Sequence, residues 1–422
     1  MIDRELLRTN PKIVSENLRK RGISEKPLQE WIALDSKWRK LKAESDSLRA
    51  ERNSISKKIS ENKKRGEKID KILEKARKIP EKLKETEEVM LNIDKERNKI
   101  LMNMPNLLET SVPIGNALKN KVLEVKGLPS KKKARGHEEI LIALDVLDIE
   151  RATKVAGSRF YYLKNELVLL NQALINFALH ELDKNGFILM QPPFMLRKQA
   201  LESATSLSTF QEMIYKIENE DLYLIGTAEH ALNAYYTNEV LNLISLPIRF
   251  AAISSCFRKE AGSHGKDTKG IFRIHQFEKV EQFVLCTPSQ EKKEFNIILD
   301  NTKNLFKKLG IPFRTVLLAS EETGLVSAKT VDIEGWFPAQ KGYRELGSCS
   351  TVLDYQARRA NIKYQEKGKL HYAYTLNNTA IATERMIVCL AENFQQKDGS
   401  IKIPKALWPY MNDKRYIRAN KS

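Results

Sequence analysis

Two arginines, a phenylalanine and two glutamates stand around one glycine-punctuated basic turn in FRKEAGSHGKDTKGIFRIHQFEKVE, residues 257–281. The flanking runs, IRFAAISSCFRKE (248–260) and IFRIHQFEKVEQFVL (271–285), alternate as strands do. Side chains on a strand alternate faces, so Arg258 and Glu260 share one side of the first run. Arg273, His275, Phe277, Lys279 and Glu281 share one side of the second. Paired as an antiparallel hairpin, the two runs line one concave surface. Guanidinium groups suit phosphates or a carboxylate, an aromatic face suits a flat base, and a carboxylate suits an ammonium or a hydroxyl. That combination fits a nucleotide together with a small zwitterion. A solvent-facing charged hairpin would account for the charges but would leave Phe277 against water. His275 shares the inward face, where packing or a substrate contact would each employ it.

The elements that must hold this surface begin at His137, where the texture becomes mixed α/β. KNELVLLNQALINFALHELDKNGF (164–187) predicts an amphipathic helix ending at Asn185-Gly186. ILMQPPFM (188–195) predicts a strand stopped by two prolines, and TAIATERMIVCLAENFQ (379–395) a helix. There is no parallel βαβ rhythm, no GxxxxGK[ST] and no GxGxxG. An ATP site here must therefore rest on something other than a P-loop or a Rossmann crossover.

The first third of the chain is different. Trp31, Leu34, Trp38, Leu41, Leu48, Ile55 and Ile59 recur at alternating spacings of three and four, with Ser45 and Arg52 as polar interruptions. After KKRGEK (63–68), Ile69, Ile72, Ala76, Ile79, Leu83, Met90, Ile93, Ile100 and Met104 repeat the pattern, with Thr86 and Arg97 in its polar slots. Two such seams around Gly66 predict an antiparallel helical hairpin about 50 Å long, at about 1.5 Å per residue. A dimerisation coiled coil would show the same spacing. The heptad phase runs through Pro80, which predicts a kink and not a break. NMPNLLETSVPIG (103–115) ends the helix, and the stretch to SKKKARG (130–136) reads as an irregular basic connector. Its Lys131–Lys133 would serve as phosphate contacts or as a solvated linker. The expected domains are thus 1–112, a connector at 113–136, and 137–422.

The net charge is +18, and half of the excess falls in residues 1–104, with 28 Lys and Arg against 19 Asp and Glu. This suits an arm that meets a polyanion, although a soluble lysine-rich helical pair would look alike. No apolar run is long enough for a membrane span, and the N-terminus carries charge where a signal peptide needs apolar residues. Cys256, Cys286, Cys349 and Cys389 are widely spaced, as expected of reduced thiols in the cytoplasm.

Residues 257–281 resemble motif 2 of the class II aminoacyl-tRNA synthetases, in the form used by the seryl-tRNA synthetase family. GTAEH (226–230) resembles that family's substrate-binding loop, YRELGSCS (343–350) its metal- and ATP-binding segment, and LNNTAIATER (376–385) its motif 3. GFILMQPPFM (186–195) resembles the motif 1 strand, with Pro193 as its dimer-interface proline. The N-terminal hairpin matches as well, so the resemblance covers nearly the whole chain. It implies an α+β fold: an N-terminal antiparallel coiled-coil hairpin followed by a class II antiparallel β-sheet catalytic domain flanked by helices.

The resemblance also implies roles. Arg258 would grip the α-phosphate of ATP and the serine carboxylate, Glu260 the adenine amino group, and Phe277 the adenine face. Arg273 and Arg385 would hold the β- and γ-phosphates, with Lys259, Ile274, Leu346 and Gly347 completing the ATP site. Glu345 and Ser348 would hold Mg²⁺. Thr227, Ala228 and Glu229 would meet the serine ammonium, and Glu281 and Thr379 its hydroxyl, with Asn377 nearby. Glu384 occupies a slot treated as variable. The implied reaction is ATP-dependent formation of seryl-adenylate, then transfer of the seryl group to the 3′-terminal ribose of serine tRNA. Selenocysteine tRNA is left open as a further acceptor.

By the same resemblance, the basic hairpin would lie across the long variable arm of serine tRNA, and the enzyme would be a homodimer in which one subunit's arm serves the other's active site. The absence of HxH and CxxC clusters points to the zinc-independent type. Relatives that load a carrier protein lack the long arm present here. A non-catalytic RNA-binding descendant would be expected to lose Arg258, Glu281, Glu345 or Arg385, and all four are present.

Overall fold

The computed structural model describes residues 1–66, 68, 70–130, 134–205, 213–260 and 270–419. They form two compact units, Ile2–Pro105 and Asn106–Ser422 together with Met1.

In the first unit the short helices Arg4–Thr9 and Pro11–Lys20 precede two long ones, Lys26–Arg65 and Asp70–Asn103. The long helices run antiparallel: Asp35 pairs with Arg97, Glu44 with Lys82 and Arg49 with Glu87. Leu48, Ile55, Ile79 and Leu83 form their buried seam, flanked by Ile59, Ile72 and Ala76. This is the hairpin and not a coil between two chains. The first long helix stops at Gly66, whose φ of 70° needs a residue at ease in the left-handed region. The second runs unbroken through an exposed Pro80. The seam position expected at Ile69 lies outside the described residues. Of the polar interruptions, Arg52 is exposed, whereas Ser45, Thr86 and Arg97 are buried. Arg97 meets Asp35, and its guanidinium lies 4.3 Å from the ring of Trp38.

The second unit is built on an eight-stranded sheet: β1 (Lys121–Lys126), β2 (Ile188–Met190), β3 (Ile248–Phe257), β4 (Gln276–Cys286), β5 (Phe313–Leu317), β6 (Lys329–Phe337), β7 (Gly342–Leu353) and β8 (Tyr374–Ala382). The spatial order is β1-β5-β6-β7-β8-β4-β3-β2, and every pairing is antiparallel except β2 with β3. The helices Glu166–Lys184, Glu291–Leu309 and Thr383–Phe394 flank it and share one apolar core with it. The middle one shows why: Phe295, Ile298, Leu305 and Leu309 recur on one face, acidic residues open its first turn and lysines its last. The architecture is α+β, with no helix among the described residues long and apolar enough to cross a membrane.

Four expectations shift. Residues 106–112, grouped by sequence with the N-terminal arm, lie on the second unit, where Asn106 Nδ2 donates to Val326 O and Val352 O. The connector read as irregular contains β1, an edge strand whose adjacent Val122 and Leu123, at a register shift, break the alternation that would mark it in the sequence. Lys131–Lys133 lie outside the described residues. The second motif 2 strand begins at Gln276, not at Ile271: Ile271 N–H donates to His137 Nε2 and His275 N–H to Arg159 O, so neither joins the ladder. Residues 379–382 extend β8 and the helix begins at Thr383, because Ala382 still pairs with Lys279.

Candidate active site

The hairpin β3–β4 sets Cys256 opposite Phe277, and Arg258 N–H donates to His275 O just beyond the paired strands. Arg258 turns its Nε to Gly226 O at 3.1 Å, and its guanidinium carbon lies 5.2 Å from the Phe277 ring centre. Glu260 reaches Arg273 at 3.5 Å. Across the sheet, Arg385 on the helix Thr383–Phe394 places Nη1 3.2 Å from both the backbone oxygen and a carboxylate oxygen of Glu345, and lies over Phe272. Together these groups border a cavity of about 510 Å³, which Ile274 and Leu346 line with apolar surface. Gly347 lines it too, at a point where a Cβ would stand 3.0 Å from Thr379 O, so the two strands approach closely only because the position is glycine.

A second compartment of about 1170 Å³ adjoins the first, and Arg258, Lys279, Glu345 and Thr379 stand in the walls of both. Thr227 caps the helix Ala228–Ala234, its Oγ1 accepting from Glu229 N–H. Glu229 Oε1 accepts from Gln356 Nε2 at 2.6 Å and Asn377 Nδ2 at 3.0 Å. Burial, then the neighbouring Glu281, push its carboxyl up to about 7. Glu281 is buried, pairs with Lys279 and accepts from Thr379 Oγ1. Burial, with Arg258 and Lys279 nearby, lowers His230 to about 3, so it is neutral.

Ser348 Oγ donates to Asp332 Oδ1 at 2.7 Å. Burial and the Glu345 charge raise the Asp332 carboxyl to about 8. Burial works upward most strongly on Glu345 as well, but Arg385, together with Arg258 and Lys279, outweighs it and holds that carboxyl below its usual range.

The structure thus brings together Arg258, Glu260, Arg273, Phe277, Glu345 and Arg385 in one compartment, and Thr227, Glu229, Glu281, Ser348, Asn377 and Thr379 in the other. Ala228 is buried among apolar residues beside Leu232 and Leu246, and Lys259 extends over Tyr215 at 5.6 Å, outside both walls. The basic turn at 261–269 lies outside the described residues. Pro193 is exposed; Ile188 and Leu189 on the edge strand β2, and Met195 after the proline pair, are each about half exposed. Sequence reasoning placed Lys279 on the inward face without a role and treated the Glu384 slot as variable; His230, Asp332 and Gln356 it missed. Asp332 meets Ser348, Gln356 meets Glu229 and Glu384 meets Glu278 across 16, 127 and 106 residues, which no local pattern announces.

Residues 212–394 match the tRNA synthetase class II core domain (G, H, P, S and T), and residues 1–108 the seryl-tRNA synthetase N-terminal domain. The chain is 43% identical to the serine–tRNA ligase of Nitrosopumilus maritimus over 99% of its own length and all of the relative's. It is likewise 43% identical to that of Thermococcus sibiricus, over 100% of this chain and 98% of the relative. The seryl-tRNA synthetase of Pyrococcus horikoshii complexed with ATP superposes over the full length of both chains with a TM-score of 0.94 and 41% identity. The cytoplasmic serine-tRNA ligase of Naegleria fowleri in complex with AMP gives 0.86 and 34%, covering 99% of this chain and 98% of its own.

Proposed function

The chain belongs to the seryl-tRNA synthetase family, and on that premise we propose how its two compartments perform the serine–tRNA ligase reaction. It activates L-serine with ATP and transfers the seryl group to serine tRNA. The observation that carries the assignment of residues is the position of Arg258, in the wall between a compartment with an aromatic face and one with buried carboxylates.

Phe277 stacks on adenine, a contact worth about 1–3 kcal/mol per base, with Glu260 at the base edge. Arg273 and Arg385 take the outer phosphates. In the second compartment Glu229 and Thr227 receive the serine ammonium, and Glu281 and Thr379 its hydroxyl. Asn377 and Gln356 orient Glu229. Arg258 then holds the serine carboxylate against the α-phosphorus. A carboxylate oxygen attacks in line, the bond to the pyrophosphate oxygen breaks, and the arginines stabilise the charge that develops. In the second step the terminal 3′-hydroxyl of tRNA attacks the seryl carbonyl and AMP leaves.

Glu345 and Ser348 would hold Mg²⁺, which would neutralise triphosphate charge. The fit lies in Asp332 and Glu345, two carboxyl groups whose mutual repulsion a hard cation relieves. Among the described residues no trio of His, Cys, Asp and Glu is grouped for a metal, so the remaining oxygens would be those of ATP and water.

A pocket that hydrogen-bonds the serine hydroxyl rejects alanine and glycine by roughly 10⁴–10⁵, since its polar groups would be left unpaired. The apolar β2 edge around Pro193 supports a homodimer; Leu189→Asp should shift the sedimenting species towards the monomer. The basic helical hairpin supports recognition of the tRNA variable arm by backbone and shape. The cytoplasm is the expected compartment, as the Naegleria relative is described. Serine-dependent ATP–pyrophosphate exchange without tRNA, compared with threonine, alanine and glycine, tests the reading: exchange driven by serine supports it, and no exchange with any of the four overturns it.

A further inference from the structure

Glu384 precedes Arg385 on the helix Thr383–Phe394, and only 2% of its surface is exposed. Its carboxylate meets no basic side chain among the described residues. It accepts instead from three neutral donors: the Tyr161 hydroxyl, Glu278 N–H at 3.0 Å, and Thr383 Oγ1 at 2.9 Å. These come from three separate segments, the turn before the helix Glu166–Lys184, strand β4, and the start of the motif 3 helix itself.

The position of the middle donor is informative. Strand β8 stops at Ala382, whose partner on β4 is Lys279, so the ladder runs out one residue before Glu278. The Glu384 carboxylate takes up the Glu278 N–H where a carbonyl of a longer β8 would otherwise be needed. The peptide it grips is the one joining Phe277 to Glu278. A single side chain therefore links the backbone next to the adenine-stacking ring with the backbone next to the phosphate-binding Arg385, and it borders the cavity between them.

We propose that Glu384 is a positioning residue for ATP, fixing the motif 3 helix to strand β4 so that Phe277 and Arg385 act on one nucleotide. The inference rests on the assignment of those two residues to adenine and phosphate. Burial raises the Glu384 carboxyl to about 7, against the pull of its donors, in keeping with an anchor whose hydrogen bonds matter more than its charge. An amide of the same shape offers the same acceptor to Glu278 N–H without a buried charge.

The test measures KM for ATP and for serine in pyrophosphate exchange, with the ATP dissociation constant by calorimetry, for wild type, Glu384→Ala, Glu384→Gln and Tyr161→Phe. Glu384→Ala should weaken ATP about tenfold, as loss of a buried hydrogen-bonded anchor predicts, while KM for serine stays within about twofold. Glu384→Gln should recover most of that loss, and Tyr161→Phe should weaken ATP by about threefold. A folded Glu384→Ala with unchanged ATP affinity overturns the proposal, as does a parallel rise in both KM values, which would mark general loosening. Should Glu384→Ala not fold, Tyr161→Phe decides: wild-type ATP affinity in that variant overturns it. A wild type that binds ATP but shows no serine-dependent exchange defeats the functional reading, and calorimetry still decides the role of Glu384.

Discussion

Asn377 Nδ2 and Glu229 Oε1 are 3.0 Å apart, and Gln356 Nε2 shares the same carboxylate oxygen. Two neutral amides hold the group in place without supplying a positive charge, while Glu281 adds a negative one. The Glu229 carboxyl, at about 7, is consequently half protonated near neutrality until a cation arrives.

On the proposed assignment serine brings that cation. Its ammonium would favour ionised Glu229, so below about pH 7 binding would expel a proton. KM for serine should fall as pH rises towards 7, by at most about tenfold per pH unit, and level off above. Without serine the sign for stability is opposite. The folded carboxyl binds its proton more tightly than the unfolded one, so stability from this group is lost as pH rises from the ordinary carboxylate range through about 7. Glu229→Gln should abolish this dependence and raise KM for serine by about 10–100-fold, the cost of one charge-assisted contact. A serine KM of the wild type that does not change between pH 5.5 and 7.5 would count against the assignment.

Arg385 spans Glu345 and Phe272 with one planar group, donating to the former and lying over the latter at 5.1 Å. Lysine cannot do both, because it offers a compact charge without a planar fork. Arg385→Lys should lower kcat for exchange by about 10²-fold or more, the scale for removing a donor from developing transition-state charge. The serine dissociation constant should change little, and single-turnover measurements separate the two.

Much of this was legible in the sequence because it is periodic. The two heptad seams, the alternating β3 and β4, and the inward set Phe277, Lys279 and Glu281 follow from spacing alone. Where spacing misled, another partner had taken the backbone: His137 and Arg159 hold Ile271 and His275 out of β4, and Ala382 stays in the ladder that a helical pattern had claimed. Arg273 nevertheless reaches the cavity from outside the strand. Gln356 and Asp332 gain meaning only through contacts with Glu229 and Ser348, which lie far off in sequence and near in the sheet.

The buried charge in the helical hairpin is a case in point. Arg97 was legible as a polar slot in an apolar seam, but its partner Asp35 was not, since a lone aspartate in a charged helix has no pattern. Both are 1% exposed, and Arg8 also donates to Asp35. Burial opposes ionisation of Asp35, yet Arg8 and Arg97 hold its carboxyl below the usual range. Its contribution is therefore present above that range and lost as pH falls through the lowered value. Asp35→Ala leaves the buried Arg97 with Asp94 as its remaining carboxylate and should cost about 2–4 kcal/mol, whereas the double change Asp35→Leu with Arg97→Met should recover most of it. Thermal unfolding followed by helical circular dichroism measures both; a single variant as stable as the wild type would refute the role.

The tip of the same hairpin should separate tRNA binding from chemistry. Lys57, Lys58, Lys63 and Lys64 are exposed near Gly66, within the arm that carries half of the chain's excess charge. Phosphate contacts release counterions, so each lost contact should flatten the salt dependence of tRNA binding by roughly 0.7–0.9 in the log–log slope. Replacing Lys63 and Lys64 by Gln should raise KM for tRNA in aminoacylation, make that KM less sensitive to salt, and leave serine-dependent pyrophosphate exchange unchanged. The two assays share the adenylate step and differ only in the acceptor. A variant that lost both activities equally would place these lysines in the support of the fold, and the arm would need a different account.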